Sequence, residues 1–174
     1  MFDTAAPLGG AVEVVERRGC DLSPIDPTTP ENEIRLKSYV WADLPAHVQI
    51  LGESIDICRE VPATIDRADG AEWLEAQLAE PRPGVATVVF HSLMQASGPP
   101  SSLERMAATL TRAGATSTSE APLAHLRFEA PYGVIVPPAH ALRLAETRLT
   151  MWPGGTERLL ATSDVNGCHV RWLL

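Results

Sequence analysis

With 174 residues, 45% of them hydrophobic, the chain is long enough to bury one core and short for two. Fourteen basic residues stand against 22 acidic ones, a formal net charge of −8, and no Lys or Arg run exceeds the pair Arg17, Arg18. That balance excludes the electrostatic footprint of a nucleic-acid or anionic-membrane binder, and no apolar stretch approaches the length of a membrane span.

Cys20, Cys58 and Cys168 are odd in number, scattered and without CxxC spacing. They suggest neither a disulfide framework nor a zinc site, and read as reduced thiols of a cytoplasmic protein. Residues 1–10 are small, polar and Gly-rich, a loose tail without the features of a signal peptide. Residues 11–174 are then expected to form a single α/β domain.

Val12, Val14 and Val15 propose a strand that runs into Arg17 and Arg18 and ends at Gly19, Cys20, Asp21. The following LSPIDPTTP is too rich in proline for a strand or helix interior, so it is a turn-rich loop carrying Asp21 and Asp26. Thr29 as N-cap, Pro30 and the acids Glu31 and Glu33 announce a short helix toward Tyr39. Asp43 can cap a longer one, striped by Leu44, Val48, Leu51, Ile55 and Cys58 and ended by Pro62.

PATID is a short strand delivering Asp66 and Asp69, and Asp69 with Glu72 starts a helix that buries Trp73, Leu74 and Leu78 before Pro81. Gly84–Ser92, GVATVVFHS, then reads as a strand buried on both faces, too short for a buried helix. Ser101 and Glu104 repeat the capping pattern for a helix with Leu103, Met106, Ala107 and Leu110 on one face and Gly114 at its end. Pro122–Phe128 is another strand. From Leu142 the period shifts toward two, and Asn166-Gly167 between Leu159–Asp164 and His169–Trp172 marks a hairpin. The order predicts a three-layer α/β sandwich, mostly parallel, with antiparallel carboxyl-terminal strands.

Ligands of open α/β sheets bind beyond the carboxyl ends of the strands. His91 and Ser92 end a buried strand there, with Gln95 close behind, and a His in that place either serves as a general base or ligand contact or bonds to a neighbouring loop. Asp21 and Asp26 either accept hydrogen bonds from a ribose or close their own proline-rich turn. Asp69 either meets a ligand or caps its helix. The chain has no G-x-S-x-G elbow, and His47, His91, His125, His140 and His169 show no metal-binding spacing. Trp152-Pro-Gly-Gly reads as a structured turn with a packed indole.

The blocks ERRGCDLSPIDPTTPE, RLKSYVW, DRADGAEWL, PRPGVATVVFHS, PLAHLRFE, RLTMWPGG and NGCHVRW stand in order, within a likeness that covers nearly everything from Val14 to Trp172. On them the chain resembles the bacterial domain of unknown function family two-three-three-two. Its members are longer and carry, upstream of these blocks, an E-x-G-x-S-x-G-x-N segment similar to the glycine-rich first motif of Rossmann-like S-adenosylmethionine-dependent methyltransferases. The resemblance implies that Asp21 takes the acidic place after the second strand and that Asp69 lies near the adenine. His91 and Ser92 take the place after the fourth strand where substrate approaches, and Asp26 lines the same crevice.

The chain departs from that pattern at its start, where Gly9 and Gly10 precede a strand instead of following one. It also reads VWADL where the family reads VWPDQ, HSLMQAS where an aromatic run is usual, and Asn166 where a His is usual. Without the first strand of the fold, the sheet is expected to rearrange or to associate through its open edge, with a second copy or a separately encoded amino-terminal half. Three functions follow as expectations. One is an incomplete methyltransferase domain with weak or lost S-adenosylmethionine binding. Another is a non-catalytic domain pairing through the sheet edge, and the last is a small hydrolase using His91. No metal is expected.

Overall fold

The computed structural model describes residues 9–95, 98–130, 144–165, 167 and 169–173. The tail expected over 1–8, and the expectations placed on His140, Leu142, Asn166 and Cys168, lie outside them. Two compact units emerge, one from Ala11 to Gly70 and the other chiefly from Ala71 onward.

The first unit holds β1 (Arg18–Asp21), α1 (Pro30–Ser38), α2 (Pro45–Glu60) and β2 (Thr64–Arg67). β1 and β2 form a two-stranded parallel sheet in which Arg18 lies opposite Thr64 and Asp21 opposite Arg67. The valines expected to form the first strand stay outside it, with Val12 83% exposed. β2 is four residues long and offers rungs only to Arg18–Asp21, so among the described residues the valine run has no ladder to join.

α1 begins as expected. Thr29 Oγ1 accepts the Asn32 N–H at 3.4 Å, Pro30 opens the helix, and Arg35 and Lys37 occupy its last turn. α2 starts later than the expected Asp43 cap, with Leu44 in the N-cap position and no side-chain cap, because Pro45 takes the first helical place. Glu33 ties the two helices together by accepting from Lys37 at 2.5 Å and from Arg59 of α2 at 2.7 Å.

The second unit holds α3 (Gly70–Gln77, from Ala71), β3 (Thr87–Ser92), α4 (Pro100–Thr116), β4 (Leu123–Glu129), β5 (Leu144–Trp152), β6 (Thr156–Asp164) and β7 (Val170–Trp172). Its five strands lie in the order β3-β4-β5-β6-β7. β3 and β4 run parallel, and every later neighbour is antiparallel. The antiparallel finish is therefore present, while parallel pairing is confined to β1/β2 and β3/β4 instead of dominating one sheet. Short connections such as Pro153–Gly155 can join only antiparallel strands.

Leu74 of α3, Leu110 of α4 and Leu123 of β4 make the core of this unit, with Trp73, Val89, Met106 and Trp152 packed around them. Each buried leucine contributes about 2 kcal/mol. That core covers the Val89 face of β3; on the other face Val88 and Phe90 are 60% and 61% exposed. The strand expected to be buried on both sides is thus covered on one, because it is the edge of its sheet and both helices of its unit that join the core meet the same face.

Gly114 does not end α4, which continues to Thr116. It is buried instead, and a Cβ added there would stand 2.5 Å from Trp152 Cε2. The helix opens on Pro100 with Pro99 as N-cap and no side-chain cap, so the expected Ser101 cap falls inside the first turn.

Candidate functional site

Side chains alternate between the faces of a strand, and residues opposite each other on paired strands share a face. In the parallel β3/β4 register, Val89 lies opposite His125 and His91 opposite Arg127. His91, His125, Arg127 and Glu129 therefore project from one face. It is the face that is apolar at Val89 and Leu123 and becomes polar toward the carboxyl ends of both strands.

There His91 is held from both ring nitrogens. Its Nδ1 lies 2.7 Å from Glu129 Oε1, and its Nε2 lies 2.9 Å from His125 Nε2, the rings tilted by 40°. The side chains of His91 and Glu129 are only 11% and 8% exposed, so the pair sits largely out of water.

The loop after β3 completes the clamp. Leu93 donates its N–H to the Phe128 carbonyl at 2.8 Å and then turns at φ 51°, a left-handed conformation that costs a leucine about 1 kcal/mol. The turn aims two consecutive N–H groups at Glu129: Met94 N donates to Oε1 at 3.0 Å and Gln95 N to Oε2 at 3.3 Å.

Burial pushes the His125 imidazole down to about 4, helped by the neighbouring His91 and Arg127 and opposed by Glu157. Beyond it the same region carries an ion-pair network. Arg127 reaches Glu157 at 2.5 Å, and Arg148 reaches Glu146 at 2.6 Å and Glu157 at 2.9 Å.

A carboxylate that orients an imidazole, with a second imidazole on its far nitrogen, is an arrangement suited to moving a proton. The family described as "Uncharacterized protein conserved in bacteria (DUF2332)" matches residues 2–172. The chain belongs to the DUF2332 family. No curated protein and no solved structure matches it.

Of the sequence-derived candidates in this DUF2332 chain, His91 is the one at the centre of the cluster. Ser92 is exposed on the opposite face of β3, and Gln95 takes part through its backbone N–H. Asp21, Asp26 and Asp69 belong to the other unit. Asp21 Oδ1 accepts the Ser23 N–H at 2.7 Å, and Asp26 Oδ1 accepts from the Thr28 hydroxyl and N–H at 2.7 and 2.9 Å. Those Thr28 bonds hold the Asp26 carboxyl below the usual range. Each acid thus closes its own turn.

Asp69 follows β2, near Cys20 of β1. Burial and then the charges of Asp69, Asp21 and Asp66 push the Cys20 thiol up, which keeps it protonated and unreactive.

Sequence reasoning missed Glu129 and the role of His125. Their signal was present in LAHLRFE, where His125, Arg127 and Glu129 recur every second residue, but it acquires meaning only once β4 is paired with β3. Among the described residues no cluster of three metal-ligating side chains occurs, and no helix is long and apolar enough to cross a membrane.

Proposed function

We propose that this DUF2332 chain is an incomplete, Rossmann-like domain of three-layer, methyltransferase-like type, with weak or lost S-adenosylmethionine binding and an acid–base centre at His91. The observation that carries it is the clamp on His91 at the carboxyl end of a parallel strand pair, the edge where open α/β sheets bind ligands. Asp21 and Asp69, the cofactor-side candidates, follow β1 and β2 at the carboxyl ends of the other parallel pair.

The residues present do not fit a full cofactor cradle. Such a cradle needs free backbone N–H groups in a glycine-rich turn after a strand. The turn after β1 is Leu22-Ser23-Pro24, and the Met94 and Gln95 N–H groups after β3 already hold the Glu129 carboxylate. No chemical step is therefore derived through that cofactor.

One observation favours a second reading, a domain that associates through its sheet edge. Thr87 and Leu93 direct their N–H groups to β4, so the alternate residues Val88, Phe90 and Ser92 turn their backbone groups to the open side of β3. An added strand from a second copy or from a separately encoded amino-terminal half would pair there.

Calorimetric titration with S-adenosylmethionine and its demethylated product, alongside sedimentation over a range of concentrations, separates the two. Heat at micromolar ligand that vanishes in Asp21→Ala supports a retained site. Silence together with concentration-dependent association supports edge pairing, and silence from a strict monomer contradicts both edge pairing and any retained cofactor site.

A further inference from the structure

We infer that Glu129, His91 and His125 form a one-proton relay, in which His125 Nδ1 takes a proton from a ligand hydroxyl or ammonium group and the charge comes to rest on His91. The inference deepens the acid–base reading of this site and rests on it for the ligand alone; the arrangement of protons stands with or without any cofactor.

The bonding fixes the tautomers. With Glu129 as a carboxylate, whose two oxygens accept the Met94 and Gln95 N–H groups, the 2.7 Å contact places the hydrogen on His91 Nδ1. Neutral His91 then has a bare Nε2. The 2.9 Å contact between the two Nε2 atoms needs one hydrogen, which must come from His125. His125 Nδ1 is then unprotonated as well, and unlike His91 Nε2 it is not the acceptor of the bond between the rings.

The transfer balances with one proton and no change in electron count. As a proton binds His125 Nδ1, the Nε2 hydrogen of His125 passes to His91 Nε2. His125 ends neutral in its other tautomer, and His91 becomes an imidazolium beside the Glu129 carboxylate. The bond between the rings holds one hydrogen before and after, so the pair takes up one proton as a unit. Arg127 discourages charge on His125, and Glu157, paired with Arg127 and Arg148, favours it only weakly. Charge therefore settles on the ring facing Glu129.

Long-range proton–nitrogen correlation NMR on the histidine-labelled full chain tests this directly, because it distinguishes protonated from bare ring nitrogens. The expected result above neutral pH is a hydrogen on Nδ1 of His91 and on Nε2 of His125. On acidification His91 becomes doubly protonated and His125 switches to the Nδ1 hydrogen in a single shared transition. Glu129→Gln, which keeps an acceptor oxygen but removes the charge, is expected to lower that transition by about one pH unit. Hydrogens on Nε2 of both rings, separate transitions, or a doubly protonated His125 ahead of His91 would overturn the relay. The wild-type spectra decide this even if the variant fails to fold, and the outcome is independent of whether S-adenosylmethionine binds.

Discussion

His91 Nδ1 and Glu129 Oε1 lie 2.7 Å apart across two parallel strands, from residues 38 positions apart in the chain. Glu129 also accepts the Met94 and Gln95 N–H bonds that shape the loop after β3. Removing it leaves three donors to be satisfied at once. Glu129→Ala is accordingly expected to cost about 3 kcal/mol of stability, and Glu129→Gln about half of that, read from urea denaturation at neutral pH.

The two-histidine pair predicts a pH dependence whose sign follows from His125. Its folded-state value, about 4, lies below the ordinary value of 6.5. Above about 6.5 both folded and unfolded chains hold it neutral. As pH falls from there toward 4, the unfolded chain binds the proton and the folded chain does not, so stability falls with pH through that window. With His125 only partly buried, the loss is on the order of 1 kcal/mol after solvent screening. His125→Phe should flatten this part of the stability–pH curve, measured by denaturation at stepped pH.

Much of the scaffold was legible because local chemistry determines it. Thr29 and Pro30 mark the start of α1, and the prolines at 62 and 81 bound α2 and α3. The β-branched run around Val88 is strand β3. The Trp152 turn also behaves as its sequence suggests, with the indole packed at Gly114 and Gly155. What failed depended on partners distant in the chain. The valines near residue 14 have strong strand propensity and no neighbouring strand among the described residues, and Gly114, a stop signal in sequence, is where α4 admits the indole. The candidate site was half legible. A histidine ending a strand is visible in one segment, whereas its clamp comes from β4, whose alternating polar residues resemble any solvated face until the pairing is known.

Gly114 supplies a packing prediction. A Cβ there would approach Trp152 Cε2 and Nε1 to 2.5 Å, well inside van der Waals contact, on a helix whose backbone is fixed by its neighbours. Gly114→Ala is expected to destabilise the chain by about 2 kcal/mol and to alter the near-ultraviolet signal of the indole. Gly52, with nothing within 4 Å, is the control: Gly52→Ala in α2 should stabilise by about 0.5–1 kcal/mol.

Leu93 tests the turn that holds Glu129. Its positive φ penalises branched side chains most, so Leu93→Val is expected to lose about 1 kcal/mol while Leu93→Gly stays within about 0.5 kcal/mol of the parent. Hydrogen exchange at Met94 and Gln95 should quicken in the valine variant, since their N–H groups depend on that turn.

The most direct test of the buried carboxylate–imidazole pair is a double-mutant cycle between His91→Leu and Glu129→Gln, measured by urea denaturation at neutral pH. Residues bonded as these are should show a coupling energy of about 1–2 kcal/mol. Losses that add to within about 0.3 kcal/mol would mean that the two side chains do not meet, and would contradict the account.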